Sequence, residues 1–155
     1  MKLAEALILR SDTQKRYNAV QARAQAVARH QEGEEPPEDA NLLLAQAEEM
    51  LDELEGLIRR INLTNASATL EDGRLVTAAI AQRDVLKFRR NLMNGVADAG
   101  SGSADKARQM RSELRYVSAV PVSELRDRAN ELARKYRELD TQIQEANWRV
   151  ELVEE

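Results

Sequence analysis

Cysteine is absent, histidine occurs once and aromatic residues make up only 3% of the chain. Without cysteine there is no disulfide framework, no thiolate metal site and no thiol nucleophile. The lone imidazole, His30, has no ligand-type neighbours in sequence and reads as a surface or capping residue. No apolar run approaches the roughly 18 residues that a membrane helix needs. The stretch Met1–Arg10 is too short, and too interrupted by Glu5, for a signal peptide. A soluble, cytoplasmic protein is therefore expected. Dinucleotide-binding, phosphate-loop, zinc and nucleophile-elbow spacings are missing as well, so no cofactor, metal or catalytic residue is expected, and the chain reads as a non-enzyme.

Charge is plentiful: 32% of the 155 residues are Asp, Glu, Lys or Arg, with a net charge of −4. Few large residues and many charges suit a thin seam of Leu, Ile, Val and Ala. The clearest seam is Val122, Leu125, Ala129, Leu132, Tyr136, Leu139, Ile143, Ala146, Val150 and Val153. Its steps of three and four describe a helix packed along its whole length, on the order of 48 Å long at 1.5 Å per residue. A first helix over about residues 2–28 carries Leu3, Ala6, Tyr17, Val20, Ala24 and Val27, with Arg10 and Thr13 also on the row. Gly33, Pro36 and Pro37 then break the helical pattern.

A second helix starts at Asp39 or Asn41, either of which can cap it. Its seam is Leu44, Ala47, Leu51, Leu54, Ile58, Ile61 and Asn65, widened by Leu43, Met50 and Leu57. At residues 69–76 the pattern changes. Asp72-Gly73 in Thr69-Leu70-Glu71-Asp72-Gly73-Arg74-Leu75-Val76 predicts a two-residue β-hairpin turn, both central residues at φ > 0. That turn pairs Glu71 with Arg74, Leu70 with Leu75 and Thr69 with Val76. Residues 112–120 are the candidate third strand, since isolated hairpins are marginal. A third helix over about 77–97 takes Ala78, Ala81, Val85, Phe88 and Leu92 as its seam, and the Gly/Ser-rich stretch 98–107 reads as a flexible linker. Ser123 is the expected cap of the long last helix. The fold class predicted is mainly α: one domain over 1–155, an elongated antiparallel helical bundle or coiled coil with a small β-hairpin, possibly a three-stranded sheet.

Three constellations bear on function. Asn62, Thr64, Asn65, Ser67 and Thr69 gather small polar side chains where the second helix ends. They form a candidate ligand site, although such residues also terminate helices routinely. Arg83, Lys87 and Arg90 share a helix face, with Arg89 beside them. No interleaved aromatics accompany them, which argues against nucleic acid and for pairing with the acid-rich residues 31–55, ten acids without a Lys or Arg. Trp148 falls opposite the last seam with Leu152 one turn on, a candidate interface between copies.

The chain also resembles the septicolysin-like family of small bacterial proteins. The likeness lies in Lys2-Leu3-Ala4-Glu5-Ala6-Leu7, Ile61-Asn62-Leu63-Thr64-Asn65, Asp72-Gly73, Arg83-Asp84, and Tyr136-Arg137-Glu138-Leu139-Asp140 through Gln144-Glu145-Ala146-Asn147-Trp148. It implies a helical protein without agreed catalytic residues, and its label alone suggests a membrane-active cytolysin. From the residues, the leading expectation is a scaffold that self-associates through heptad faces as a homo-oligomer, with an unknown protein partner also compatible. The second is a polar-ligand or phosphate-binding module using Asn62, Thr64, Asn65, Thr69 and Arg83.

Overall fold

The computed structural model describes residues 1–102 and 115–154. These form four helices: α1 (Leu3–Val27), α2 (Ala40–Ser67), α3 (Val76–Gly100) and α4 (Val122–Arg149). The described residues fall into two compact units. One comprises Met1–Thr69 with the C-terminal segment from Glu145, the other Leu70–Gln144.

In the first unit α1 and α2 pack antiparallel. Leu3 and Ala6 at the start of α1 meet Leu57 and Ile61 late in α2, whereas Val20 and Val27 meet Leu43 and Ala47. Glu5 accepts a hydrogen bond from the Lys2 amide at 2.7 Å, relieving one of the free donors at the start of α1. Asp39 caps α2 by accepting the Asn41 amide at 2.8 Å. The seam of α1 is as the sequence reads it except at Arg10, which is exposed; Thr13 is fully buried on it and accepts from Arg16 at 3.0 Å. On α2 the inward row is Leu43, Ala47, Met50, Leu54, Leu57, Ile61 and Thr64, while Leu44, Leu51 and Ile58 are exposed. The predicted and observed rows share Ala47, Leu54 and Ile61 and differ by one residue at the positions between them, so the face turned to α1 is rotated slightly from the seam that the spacing picks out.

The chain ends close this unit. After α4 stops at Arg149, Leu3 donates to the Val150 carbonyl at 3.0 Å and Leu152 to that of Met1 at 2.8 Å. Lys2 and Glu151 form an isolated antiparallel bridge, and Leu152 enters the cluster of Leu3, Ala6, Leu57 and Ile61.

In the second unit α3 and α4 also run antiparallel, as two ion pairs show: Arg83 with Asp140 at 3.2 Å, and Asp98 with Arg126 at 3.1 Å. The inner positions of α4 from Val122 to Ile143 are all buried or half-buried, as their spacing predicts. Helix α3 is the exception. Its inward row is Val76, Ala79, Arg83, Leu86, Arg90, Met93, Ala97 and Gly100, and the predicted seam Ala78, Ala81, Val85, Phe88 and Leu92 is exposed throughout.

The predicted β-hairpin is not formed, and no sheet exists among the described residues. Leu70 donates to the Arg74 carbonyl at 2.8 Å and Gly73 to that of Leu70 at 3.1 Å, so Glu71, Asp72 and Gly73 make a three-residue loop. Only Gly73 has positive φ, at 85°. This is the turn-plus-αL arrangement that competes with the two-residue turn. Val76, assigned to the returning strand, is the first residue of α3, so pairing goes no further than single bridge positions at Thr69 and Leu75. Of the proposed third strand, 112–114 lie outside the described residues and 115–118 are not extended into any ladder. The expected linker is partly helix, since Asp98–Gly100 end α3, and 103–107 lie outside the described residues. Pro121, not Ser123, supplies the first carbonyl of α4, which accepts from the Leu125 amide at 3.0 Å.

A side chain at Gly73 would meet nothing within 4 Å, so the cost there is purely conformational. Gly73→Val is expected to destabilise the fold by about 1–2 kcal/mol, read as a lower midpoint in urea. An unchanged midpoint would contradict the left-handed turn.

Candidate functional site

The polar cluster at the end of α2 does not converge. Thr64 is buried; its hydroxyl donates to the Arg60 carbonyl at 2.7 Å and accepts the Val153 amide at 3.0 Å. Asn62 is exposed, Asn65 is half-buried, and the Thr69 carbonyl accepts from Arg149 at 3.1 Å. Ser67 turns back onto the Leu63 carbonyl at 3.0 Å. What these residues do is hold the C-terminal segment: Arg60 also donates to the Val153 carbonyl at 3.1 Å. Thr64→Val keeps the shape and removes the acceptor. It is expected to cost about 1 kcal/mol and to speed hydrogen exchange at the Val153 amide; unaltered exchange there would refute the clasp.

Arg83, assigned to the same ligand site, belongs instead to the interior of the second unit. Its Nη1 donates to Asp140 Oδ1 at 3.2 Å, and its Nε and Nη2 to Asp84 Oδ1 at 3.1 and 2.9 Å. Burial disfavours the guanidinium charge, but the hydrogen bonds with Asp84 and Asp140 outweigh it and leave the pKa raised. A cation so engaged is a poor phosphate anchor. The basic face divides accordingly: Arg83 and Arg90 turn inward, Lys87 turns outward, and Arg89 is exposed while lining a cleft between α3 and α4. The acid-rich second helix pairs within its own unit, Glu53 to Arg16 at 3.4 Å.

Beside the 69–76 turn, Arg74 gathers neighbouring side chains. It contacts Asp72 at 2.6 Å and donates to Gln82 at 2.6 Å and Gln142 at 3.2 Å. The Arg74 guanidinium holds the Asp72 carboxyl below its ordinary range. The arrangement ties the turn to α3 and α4, and its one carboxylate, Asp72, is engaged by Arg74.

A cleft of about 620 Å³ between α3 and α4 is lined by Arg89, Met93, Asp127, Arg128, Glu131, Leu132 and Lys135. Its lining mixes three basic side chains with two acidic ones. Glu131 accepts from Arg134 at 2.6 Å and lies 3.9 Å from Lys135, and the Arg134 hydrogen bond lowers its pKa. Among the described residues no group of three His, Asp or Glu is placed to hold a metal ion. His30 is exposed, its Nδ1 3.0 Å from the Gln31 carbonyl.

The two proposed interface residues separate. Trp148 is 56% exposed near the end of α4, whereas Leu152 is 4% exposed in the core of the first unit. The helix ends between them, so the shared outer face that continued helical geometry would give does not exist. Sequence reading missed an exposed apolar surface on α3. There Phe88 is 69% exposed, Leu92 60% and Val85 45%, with Val96 beside them.

A family model described as "Family of unknown function (DUF6847)" matches residues 10–152. The chain belongs to this family. The crystal structure of a functionally unknown conserved protein from Corynebacterium diphtheriae is similar at 37% identity, with a TM-score of 0.92 and 99% of each chain covered. No curated protein matches. Membership in DUF6847 corrects the resemblance to the septicolysin-like family, to which neither the family match nor the structural neighbour points. The short segments that carried that resemblance are mostly helical heptad stretches, whose Ala, Leu and charged residues recur in unrelated helical proteins. With it goes the only support for a cytolysin, and no helix among the described residues is long and apolar enough to cross a membrane.

Proposed function

We propose that this DUF6847 protein is a non-enzymatic, cytoplasmic helical scaffold that self-associates through an exposed heptad face. The observation that carries this is the outward row of α3, where Val85, Phe88 and Leu92 stand in solvent on three consecutive turns. A contiguous apolar row of that size is costly on a monomer and characteristic of a contact surface. The engaged states of Thr64 and Arg83 weigh against the alternative, a polar-ligand or phosphate-binding module. Light scattering coupled to gel filtration tests the proposal, because mass is read independently of shape. The expected mass is at least twice the 17.5 kDa of the chain. A mass of one chain at tens of micromolar protein would contradict self-association.

A further inference from the structure

The outward row of α3 continues past Leu92 to Gly95, so that Ala78, Ala81, Val85, Phe88, Leu92 and Gly95 follow one another in steps of three and four, all exposed. That is a second 3.5-residue seam on a helix whose first seam already serves its own unit, and a period of this kind fits another helix laid along it. The residues bordering the seam decide which helix. On one side stand Thr77, Asp84 and Asn91, each just before a member of the row Ala78, Val85 and Leu92. On the other stand Gln82, Arg89 and Val96, each just after Ala81, Phe88 or Gly95.

In a parallel, in-register pair, each residue of the first border faces the residue of the second border five positions further along the other helix. Asp84 then meets Arg89 of the second copy, Thr77 meets Gln82 and Asn91 meets Val96. Symmetry repeats each contact, giving two opposite-charge pairs and no like-charge pair. In an antiparallel pair like borders face each other. Asp84 is then set against Asn91 and Arg89 against Gln82, and no opposite charges meet. Both Arg83 contacts to Asp84 go to Oδ1, and the Asp84 side chain is 55% exposed, so it remains available to a further cation.

Resting on the self-association proposed above, we infer that the occupant of this face is α3 of a second copy of the chain. The two helices are parallel and in register about a two-fold axis, Phe88 against Phe88, with Asp84 and Arg89 closing the seam on both sides. The scaffold is thus a dimer that holds its two second units side by side and pointing the same way.

The chain has no cysteine, so Leu92→Cys introduces a unique thiol at an exposed position. In the parallel pair the two thiols lie at the same level and within disulfide reach. In an antiparallel pair centred on the row they are about 16 Å apart along the axis. Mild oxidation of Leu92→Cys is expected to give a covalent dimer on a non-reducing gel. Arg89→Glu is expected to weaken dimerisation about tenfold, and adding Asp84→Lys to it to restore the wild-type constant. A dimer of native mass that leaves the Leu92→Cys thiols unlinked, or a swap that fails to restore, overturns this pairing and leaves self-association standing. A single-chain mass for the wild type overturns both.

Discussion

Alanine at Ile61 is expected to lower the unfolding free energy by about 3 kcal/mol. Ile61 is 2% exposed and packs with Leu3, Ala6, Leu57 and Leu152, so one side chain joins α1, α2 and the C-terminal segment. Removing three of its carbons leaves a cavity that three separate elements would have to collapse to fill. The matched control is Ile58→Ala on the same helix, where the side chain is 36% exposed and the loss should stay within about 1 kcal/mol. Heptad spacing alone puts both residues on one seam and predicts similar losses. Urea unfolding with an unchanged slope reads the difference, and equal losses would mean that the inward face of α2 is not the one described.

Gly100→Ala is expected to destabilise the second unit by about 1–3 kcal/mol. A β-carbon there would come within 2.8 Å of the Ser118 hydroxyl and of Val120 Cγ2. Alanine for glycine inside a helix normally stabilises, by about 0.5–1 kcal/mol, and Gly56 of α2 has nothing within 4 Å of the added carbon. The same substitution should therefore act in opposite directions at the two sites. A stabilising Gly100→Ala would show that the segment before α4 does not pack against the end of α3.

The helices were legible because their information is local. Asp39 caps α2, Gly33 with Pro36 and Pro37 separates α1 from α2, and the rows of α1 and of α4 up to Ile143 are those that the spacing picks out. Where one helix carries two rows, periodicity cannot choose between them. On α3 it favours the row holding Phe88 and Leu92, the more apolar. The fold turns inward the row with Ala79, Ala97 and Gly100, whose small side chains permit close approach, and with Arg83, whose partner Asp140 lies 57 residues away in sequence. Neither the close approach nor the distant carboxylate is visible in a window of α3.

The turn at 69–76 was half legible. Gly73 marks the positive φ, but whether two or three residues close the loop depends on Val76 being taken into α3. The sequence marks Thr64 and Arg83 as candidate ligand residues; in the structure they are engaged by the backbone of Val153 and by Asp84 and Asp140. Their work is holding the chain together. Helical spacing places Leu152 on the outer face because nothing in residues 143–153 announces that the helix stops at Arg149.

Phe88→Asp puts the central claim, that α3 turns its apolar row outward for another copy to cover, to the most direct test. Circular dichroism and scattered-light mass are read on the same sample, with Trp148→Ala, an exposed residue of the first unit, as the control. The account predicts that Phe88→Asp keeps its helical content and falls to the 17.5 kDa mass of one chain, while Trp148→Ala keeps the wild-type mass. Loss of helical structure on Phe88→Asp, as expected of a core residue, or an unchanged oligomer would contradict it.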